Sequence, residues 1–254
     1  MHKVERHRHI LARLGDEPFL SVVTLAKELS TSPVTIRRDL TELASSGRLN
    51  RVHGGAETDP TGRGTLQGET FKRNLTRNVA PKRAIAKAAA AMCRRGDSII
   101  VDGGTTTFQM SRYLKGLDLQ VLTNSLHIVR SLIDDPAIRL VVPAGQVFRE
   151  QNIILSPFEE DGLTDYVAST MFMGAEAVTA SGIQQSDPLL VHAEHRFLRH
   201  AKKLIIMADS SKFEAGGSLL FCPLSEVDVI ISDRALPEAR RDMILEAGVE
   251  LVIA

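Results

Sequence analysis

The chain is predicted to fold as two units of different class: a small winged helix-turn-helix head and a larger α/β body on a mainly parallel sheet. Three observations carry this. Three short amphipathic segments succeed one another in the first part of the chain, the last two separated only by Ser30, Thr31 and Ser32. A short strand with basic residues and a Gly54-Gly55 turn follow them. Beyond residue 78, short apolar runs alternate with helical periods, as repeated strand–helix units require.

In the head, His9–Leu14 is an amphipathic helix ending near Gly15, and Val22–Leu29 is a second helix with Leu25, Ala26 and Leu29 facing inward. The third helix opens at Ser32, whose side-chain oxygen suits the free amides of a first turn, and at Pro33, suited to the first helical position. Ile36, Leu40 and Leu43 recur at four- and three-residue spacing and form its buried stripe, and Gly47 closes it. So tight a turn between the last two helices makes a helix-turn-helix. Thr35, Arg37, Arg38 and Thr41 lie off the stripe, where a short hydroxyl and two guanidinium forks can reach a DNA groove. Leu49–Val52 and Gly54-Gly55 then give a strand and turn carrying Arg51 and His53, a wing that lies against phosphate or in the minor groove. Ser32 is chiefly a cap and also a candidate phosphate contact. An ordinary solvated helix face would show the same charges, but it would need neither the tight turn before it nor the wing after it.

Composition is compatible with a DNA-binding head. The chain has 254 residues with 31 basic and 31 acidic side chains, so a uniformly basic coat is excluded while a local patch is not. Residues 1–56 hold nine Lys/Arg against six Asp/Glu, a net of plus three, with four histidines besides. The length fits a head of about 55 residues and a body of about 175. Cys93 and Cys222 stand far apart without clustered histidines, so neither a zinc site nor a disulfide framework is expected. Cys93 reads as a buried small residue late in an alanine-rich helix. No apolar run approaches the ~20 residues of a membrane span, and the basic start lacks a signal-peptide core. A cytosolic protein is expected, with no cofactor, no metal and no catalytic residue.

The predicted boundaries are a head over 1–56, a linker over 57–77 and a body over 78–254. Glu57–Gly68 is rich in Gly and Thr and has no hydrophobic period, as a flexible joint would be. The body then reads as helix Lys82–Arg94, strand Ser98–Val101, helix Phe108–Leu114, strand Gln120–Leu122, helix Leu126–Ile133 and strand Arg139–Val142. Strands Thr170–Met173, Lys203–Ala208 and Val227–Ser232, helix Pro237–Ala247 and strand Glu250–Ile253 complete it. In open sheets of this kind ligands bind beyond the carboxyl ends of the strands. Small polar residues gather there: Asp102-Gly-Gly-Thr-Thr-Thr107, Thr123-Asn124-Ser125, Pro143-Ala-Gly145, Gly174-Ala175 and Asp209-Ser-Ser-Lys212. Two glycines let backbone approach a ligand, and hydroxyls and helix-start amides offer donors to an anion. Each loop taken alone is equally a capped turn; together they point to one shared pocket.

The text T-I-R-R-D-L, followed by L-x-R-x-H-G-G-A, resembles the amino-terminal domain of the DeoR family of bacterial transcriptional regulators across residues 4–56. The strand-end motifs D-x-G-T-T, T-N-S and D-S-S-K resemble that family's effector domain, so the resemblance spans essentially the whole chain. It implies a body with the fold of ribose-5-phosphate isomerase and the coenzyme A transferases, and a site for a sugar or phosphorylated sugar. By motif position the implied effector residues are Asp102, Gly104, Thr105, Thr106, Asn124, Ser125 and Lys212; Gly145 is a further candidate from its strand-end loop, and Asp187 and Glu194 match an acidic position more loosely. Where the family often has two glycines after the proline, Ala144 adds a methyl and alters the pocket's shape. The implied function is a repressor of a carbohydrate catabolic operon, released from operator DNA by a sugar phosphate. A homodimer or homotetramer is expected, because one small head makes too few contacts for tight specific binding. Two alternatives remain at this point. One is a sensor of an unphosphorylated sugar or other metabolite. The other is an isomerase-like enzyme with Asp102 or Glu194 as base and Lys212 holding phosphate.

Overall fold

In the computed structural model, residues 3–16, 19–45, 49–52, 54–57, 71–149, 151–156 and 162–254 are described. The chain divides into two compact units, Met1–Thr65 and Leu66–Ala254. His53, Gly47 and residues 58–70 of the expected linker lie outside the described residues.

The first unit contains α1 (Lys3–Asp16), β1 (Phe19–Ser21), α2 (Val22–Glu28), α3 (Pro33–Ser45), β2 (Asn50–Val52) and β3 (Gly55–Glu57). The Ser21 hydroxyl accepts from the Thr24 amide and caps α2, as Ser32 accepts from the Thr35 amide and caps α3. Ser30 turns the chain between them in the left-handed region, at φ 46°. Ile36, Leu40 and Leu43 are buried as their spacing predicts, against Ile10, Leu14, Leu20 and Leu25. Helix α1 begins six residues earlier than the apolar pattern suggested. Strand β1 was not foreseen; it pairs with β3, giving an antiparallel sheet in the order β1-β3-β2. Across the helices, Asp39 takes Arg6 at 2.8 and 3.1 Å and His7 at 3.2 Å, pinning α3 to α1.

The second unit opens with α4 (Phe71–Leu75), which lies in the stretch expected as linker, and α5 (Val79–Ala90). It continues through β4 (Ser98–Val101), α6 (Thr105–Leu114), β5 (Leu119–Leu122), α7 (Leu126–Leu132) and β6 (Ile138–Val141). Next come β7 (Gln146–Phe148), β8 (Ile153–Leu155), β9 (Thr170–Met173), β10 (Ala177–Thr179), β11 (Gly182–Gln185) and α8 (Pro188–Leu198). The chain ends with β12 (Leu204–Met207), β13 (Leu219–Cys222), β14 (Val229–Ser232), α9 (Glu238–Glu246) and β15 (Glu250–Ile253). Seven strands form a parallel sheet in the order β15-β14-β12-β9-β4-β5-β6. Its strands read as continuous apolar runs because both faces are covered. Ile99, Val101, Phe172 and Ile205 face α5 and α6 on one side, and Ile100, Met171, Met173 and Ile206 pack with Phe197, Phe213 and Ile244 on the other.

Two departures from the expected elements matter. Helix α5 ends at Ala90, so Cys93 lies past it, half-buried in a turn, with burial pushing its thiol to about 12. The antiparallel sheet β10-β11-β13 and the β7–β8 hairpin had not been foreseen, since their short strands carry little periodicity. No described helix is long and apolar enough to cross a membrane.

Candidate functional site

The strand order fixes where a ligand pocket belongs. From β4 the chain builds outward to β5 and β6, then returns to place β9 on the other flank of β4 and continues to β12, β14 and β15. The β4/β9 boundary is therefore the point where the winding reverses, and crevices form beyond the carboxyl ends of such strands. A cavity of about 290 Å³ lies there. Asp102, Gly103, Gly104, Thr105 and Thr106 line it from the end of β4, and Gly174, Ala175 and Glu176 from the end of β9. Further walls come from Phe71 and Asn74 of α4, Ile153 of β8, Gln185 of β11, Glu194 of α8, and Lys212.

The loop after β4 builds its own geometry. Thr107 Oγ1 donates to the carbonyls of Asp102 (2.7 Å) and Gly104 (2.8 Å), tightening the turn. Helix α6 starts at Thr105, three residues earlier than expected, and Gly104 caps it without a side chain. Its cap therefore supplies no side-chain oxygen to the first-turn amides, which favour an anion by hydrogen bonding and by the helix dipole. A methyl at Gly103 would meet Ile153 Cγ2 at 2.6 Å and Asn124 Oδ1 at 3.2 Å, so glycine is what lets β8 close over this loop. Lys212 rides on a 3-10 turn, Ser210–Phe213, capped by Asp209. Asn78 Nδ2 donates to Asp209 Oδ1 at 2.8 Å and ties that turn to the start of α5.

Two carboxyl groups face the cavity from buried positions. Burial lifts Asp102 to about 6, against the backbone amides of Gly103, Gly174 and Gly104 that favour its ionised form. Glu194, 3% exposed, is pushed well above the carboxylate range by burial first and by the negative charge of Asp102 second. Its Oε1 accepts from Gln185 Nε2 at 2.7 Å, whereas its Oε2 is buried without a hydrogen-bond partner among the described residues. A protonated Glu194 can donate to a ligand hydroxyl and an ionised Asp102 can accept from one, while the α6 amides and Lys212 suit an anionic group. Among the described residues no cluster of three or more His, Cys, Asp or Glu could hold a metal ion.

Of the residues expected here, the structure brings together Asp102, Gly104, Thr105, Thr106, Glu194 and Lys212. It places the other four elsewhere. Asn124 lies behind the loop, its carbonyl accepting from the Ile154 amide and its Oδ1 buried without a partner among the described residues. Ser125 caps α7 and Asp187 caps α8, accepting from the Leu189 amide at 2.9 Å. Gly145 sits against the backbone of Leu155, where a Cβ would collide with the carbonyl oxygen. Phe71, Asn74 and Gln185 line the cavity and a buried lysine, Lys82, braces it, although none of the four belongs to a sequence motif. Lys82 Nζ donates to the carbonyl of Asn74 (2.6 Å) and to Thr105 Oγ1 (3.1 Å), joining α4 to the first turn of α6. Phe71 and Leu75 at four-residue spacing were a faint helical signal; nothing in the sequence marks Lys82 as buried.

In the first unit, Arg37, Arg38, Thr41 and Arg51 are exposed. Ser32 and Thr35 share a hydroxyl contact of 2.8 Å within the cap, so both serve the helix start. Thr41 Oγ1 donates to the Arg37 carbonyl at 2.7 Å and accepts from Arg51 Nη1 at 3.0 Å, which links the wing strand β2 to α3.

Comparison with known proteins agrees with both units. A family model described as a DeoR-like helix-turn-helix domain matches residues 6–61, and one described as the DeoR C terminal sensor domain matches residues 77–234. The chain is 32% identical over 239 residues, 94% of each chain, to the HTH-type transcriptional regulator UlaR of Shigella flexneri serotype 5b (strain 8401). It is equally similar to UlaR of Escherichia coli (strain K12 / DH10B). Among solved structures, ribose 5-phosphate isomerase A from Methanocaldococcus jannaschii aligns with 54% of this chain and 55% of its own, at 18% identity and a TM-score of 0.41. A recognition helix with its wing, a sensor body and relatives named as regulators along nearly the full length lead to one assignment: the chain belongs to the DeoR family and is a helix-turn-helix transcriptional regulator, not an enzyme.

Proposed function

We propose that this regulator represses a carbohydrate catabolic operon in the cytoplasm and that a sugar phosphate bound at the β4/β9 cavity releases it from its operator. The observation that carries the reading is the mixed chemistry of one cavity: uncapped α6 amides and Lys212 for a phosphate, Asp102 and Glu194 for hydroxyls. Two or four copies of the chain would act together, since paired heads match paired half-sites. Release requires the ligand to bind the DNA-free arrangement more tightly than the DNA-bound one.

The test is anisotropy binding of the full-length protein to DNA from its own promoter neighbourhood, across a panel of sugar phosphates with inorganic phosphate as competitor. Specific binding lost with one compound, and that compound displaced by inorganic phosphate, is the expected result. Specific binding indifferent to every compound removes the sugar-phosphate claim. Release by an unphosphorylated sugar that inorganic phosphate does not oppose assigns the cavity to a different ligand.

A further inference from the structure

We propose that Val34 reads a thymine, by packing its methyl groups against the thymine 5-methyl in the major groove. The proposal rests on α3 being the recognition helix. Ile36, Asp39, Leu40 and Leu43 commit one side of α3 to the interior. The opposite side carries Val34, Arg37, Arg38 and Thr41, spaced i, i+3, i+4 and i+7, so they form one stripe.

Within that stripe the polar groups are unequally free. Thr41 is bonded to the Arg37 carbonyl and to Arg51. The hydroxyls of Ser32 and Thr35, beside the stripe, are bonded to each other. What projects from the first turn is Val34, at 70% exposure, with the exposed Arg37 and Arg38 one turn on along the same stripe. The first turn of a recognition helix is the part that meets base edges, and helical side chains lean toward that end.

Valine has no folding reason to be there. Its branched side chain is a poorer helix former than alanine, and it is not part of the head's apolar core. A lone exposed valine is ordinary on a protein surface. This one shares its stripe with two cations, one turn further along α3, whose charge complements the DNA backbone, and it lies on the face that those cations would hold against it. The apolar group displayed by base edges in the major groove is the methyl of thymine, which fixes the occupant as an A·T pair with that methyl toward Val34.

The test uses the full-length protein and the tightest duplex it selects from a randomised pool. Each thymine is replaced singly by deoxyuridine, which deletes the methyl and keeps every hydrogen-bonding group. At one position in each half-site the parent should lose about fourfold in affinity, the worth of one buried methyl. The same replacement should leave Val34→Ala unchanged. Alanine at this exposed helical position favours folding, so the variant keeps its structure. Deoxyuridine tolerated at every position, or an equal loss in parent and variant, overturns the assignment. Failure of the parent to select any duplex overturns the recognition-helix reading along with it.

Discussion

The two units bury acidic groups in opposite ways. In the head, Asp39 is enclosed by Arg6 and His7, whose hydrogen bonds outweigh the upward push of burial and hold its carboxyl below the usual range. In the body, Asp102 and Glu194 are buried beside a cavity, neither forms an ion pair among the described residues, and both carboxyls are raised. A buried carboxylate closed by a cation acts as a joint between elements, as Asp39 joins α3 to α1. A buried pair left open to a cavity costs stability in the empty protein, which is the expected mark of a site.

The contrast can be broken most directly at Asp39. Asp39→Ala removes the carboxylate that accepts from Arg6 and His7 and should destabilise the head by about 3 kcal/mol, the low end for a pair whose acid is buried while its guanidinium stays partly in water. Hydrogen exchange on the full-length protein checks this, with protection expected to fall in α1 and α3 and to persist in the parallel sheet. Equal loss in both units would mean that Asp39 is not a local joint.

A pH series sharpens the same contrast through its sign. Between pH ~4 and ~6 the folded body keeps a proton on Asp102 that the unfolded chain has released, so its stability should fall as pH rises, by on the order of 2–3 kcal/mol. Glu194 extends the trend upward in pH. The folded head binds fewer protons at Asp39 than the unfolded chain does. Its stability is therefore intact above the ordinary carboxylate value and falls as pH drops below ~4. Protection measured unit by unit from pH 3 to 7 should show the two slopes opposed; parallel slopes would refute the distinction.

The smallest expected effect is a gain. Glu194→Gln keeps a partner for Gln185 and removes the burden of a buried acid, so at pH 7 the body should melt higher by an amount worth about 1 kcal/mol, typical of relieving a functional site. A lower melting temperature would mean that Glu194 holds the body together as Asp39 holds the head.

How far the sequence foretold these features depends on how local their causes are. The stripe Ile36–Leu40–Leu43 and strands Ser98–Val101, Thr170–Met173 and Glu250–Ile253 were legible because periodicity and apolar runs are local signals. The loop at Asp102–Thr106 was legible because strand, glycines and helix follow one another directly. The packing of Gly145 on the Leu155 backbone was not legible, since a glycine against a ligand and a glycine against backbone look the same in sequence. Asp187 precedes Pro188 at a helix start, and that signal pointed to a cap rather than a ligand contact. Gln185 and Lys82 depend on packing between elements far apart in the chain, about which a single sequence says little.

The cavity walls have an evolutionary consequence. Asp102, Gly174 and Lys212 come from loops after β4, β9 and β12, while Phe71, Gln185 and Glu194 come from elements outside the seven-stranded sheet. Each contributor can therefore be exchanged by point mutation without disturbing the buried strands that set stability. Lineages descended from one such ancestor can drift to new ligands a loop at a time, with the frame and the helix-turn-helix unit inherited unchanged.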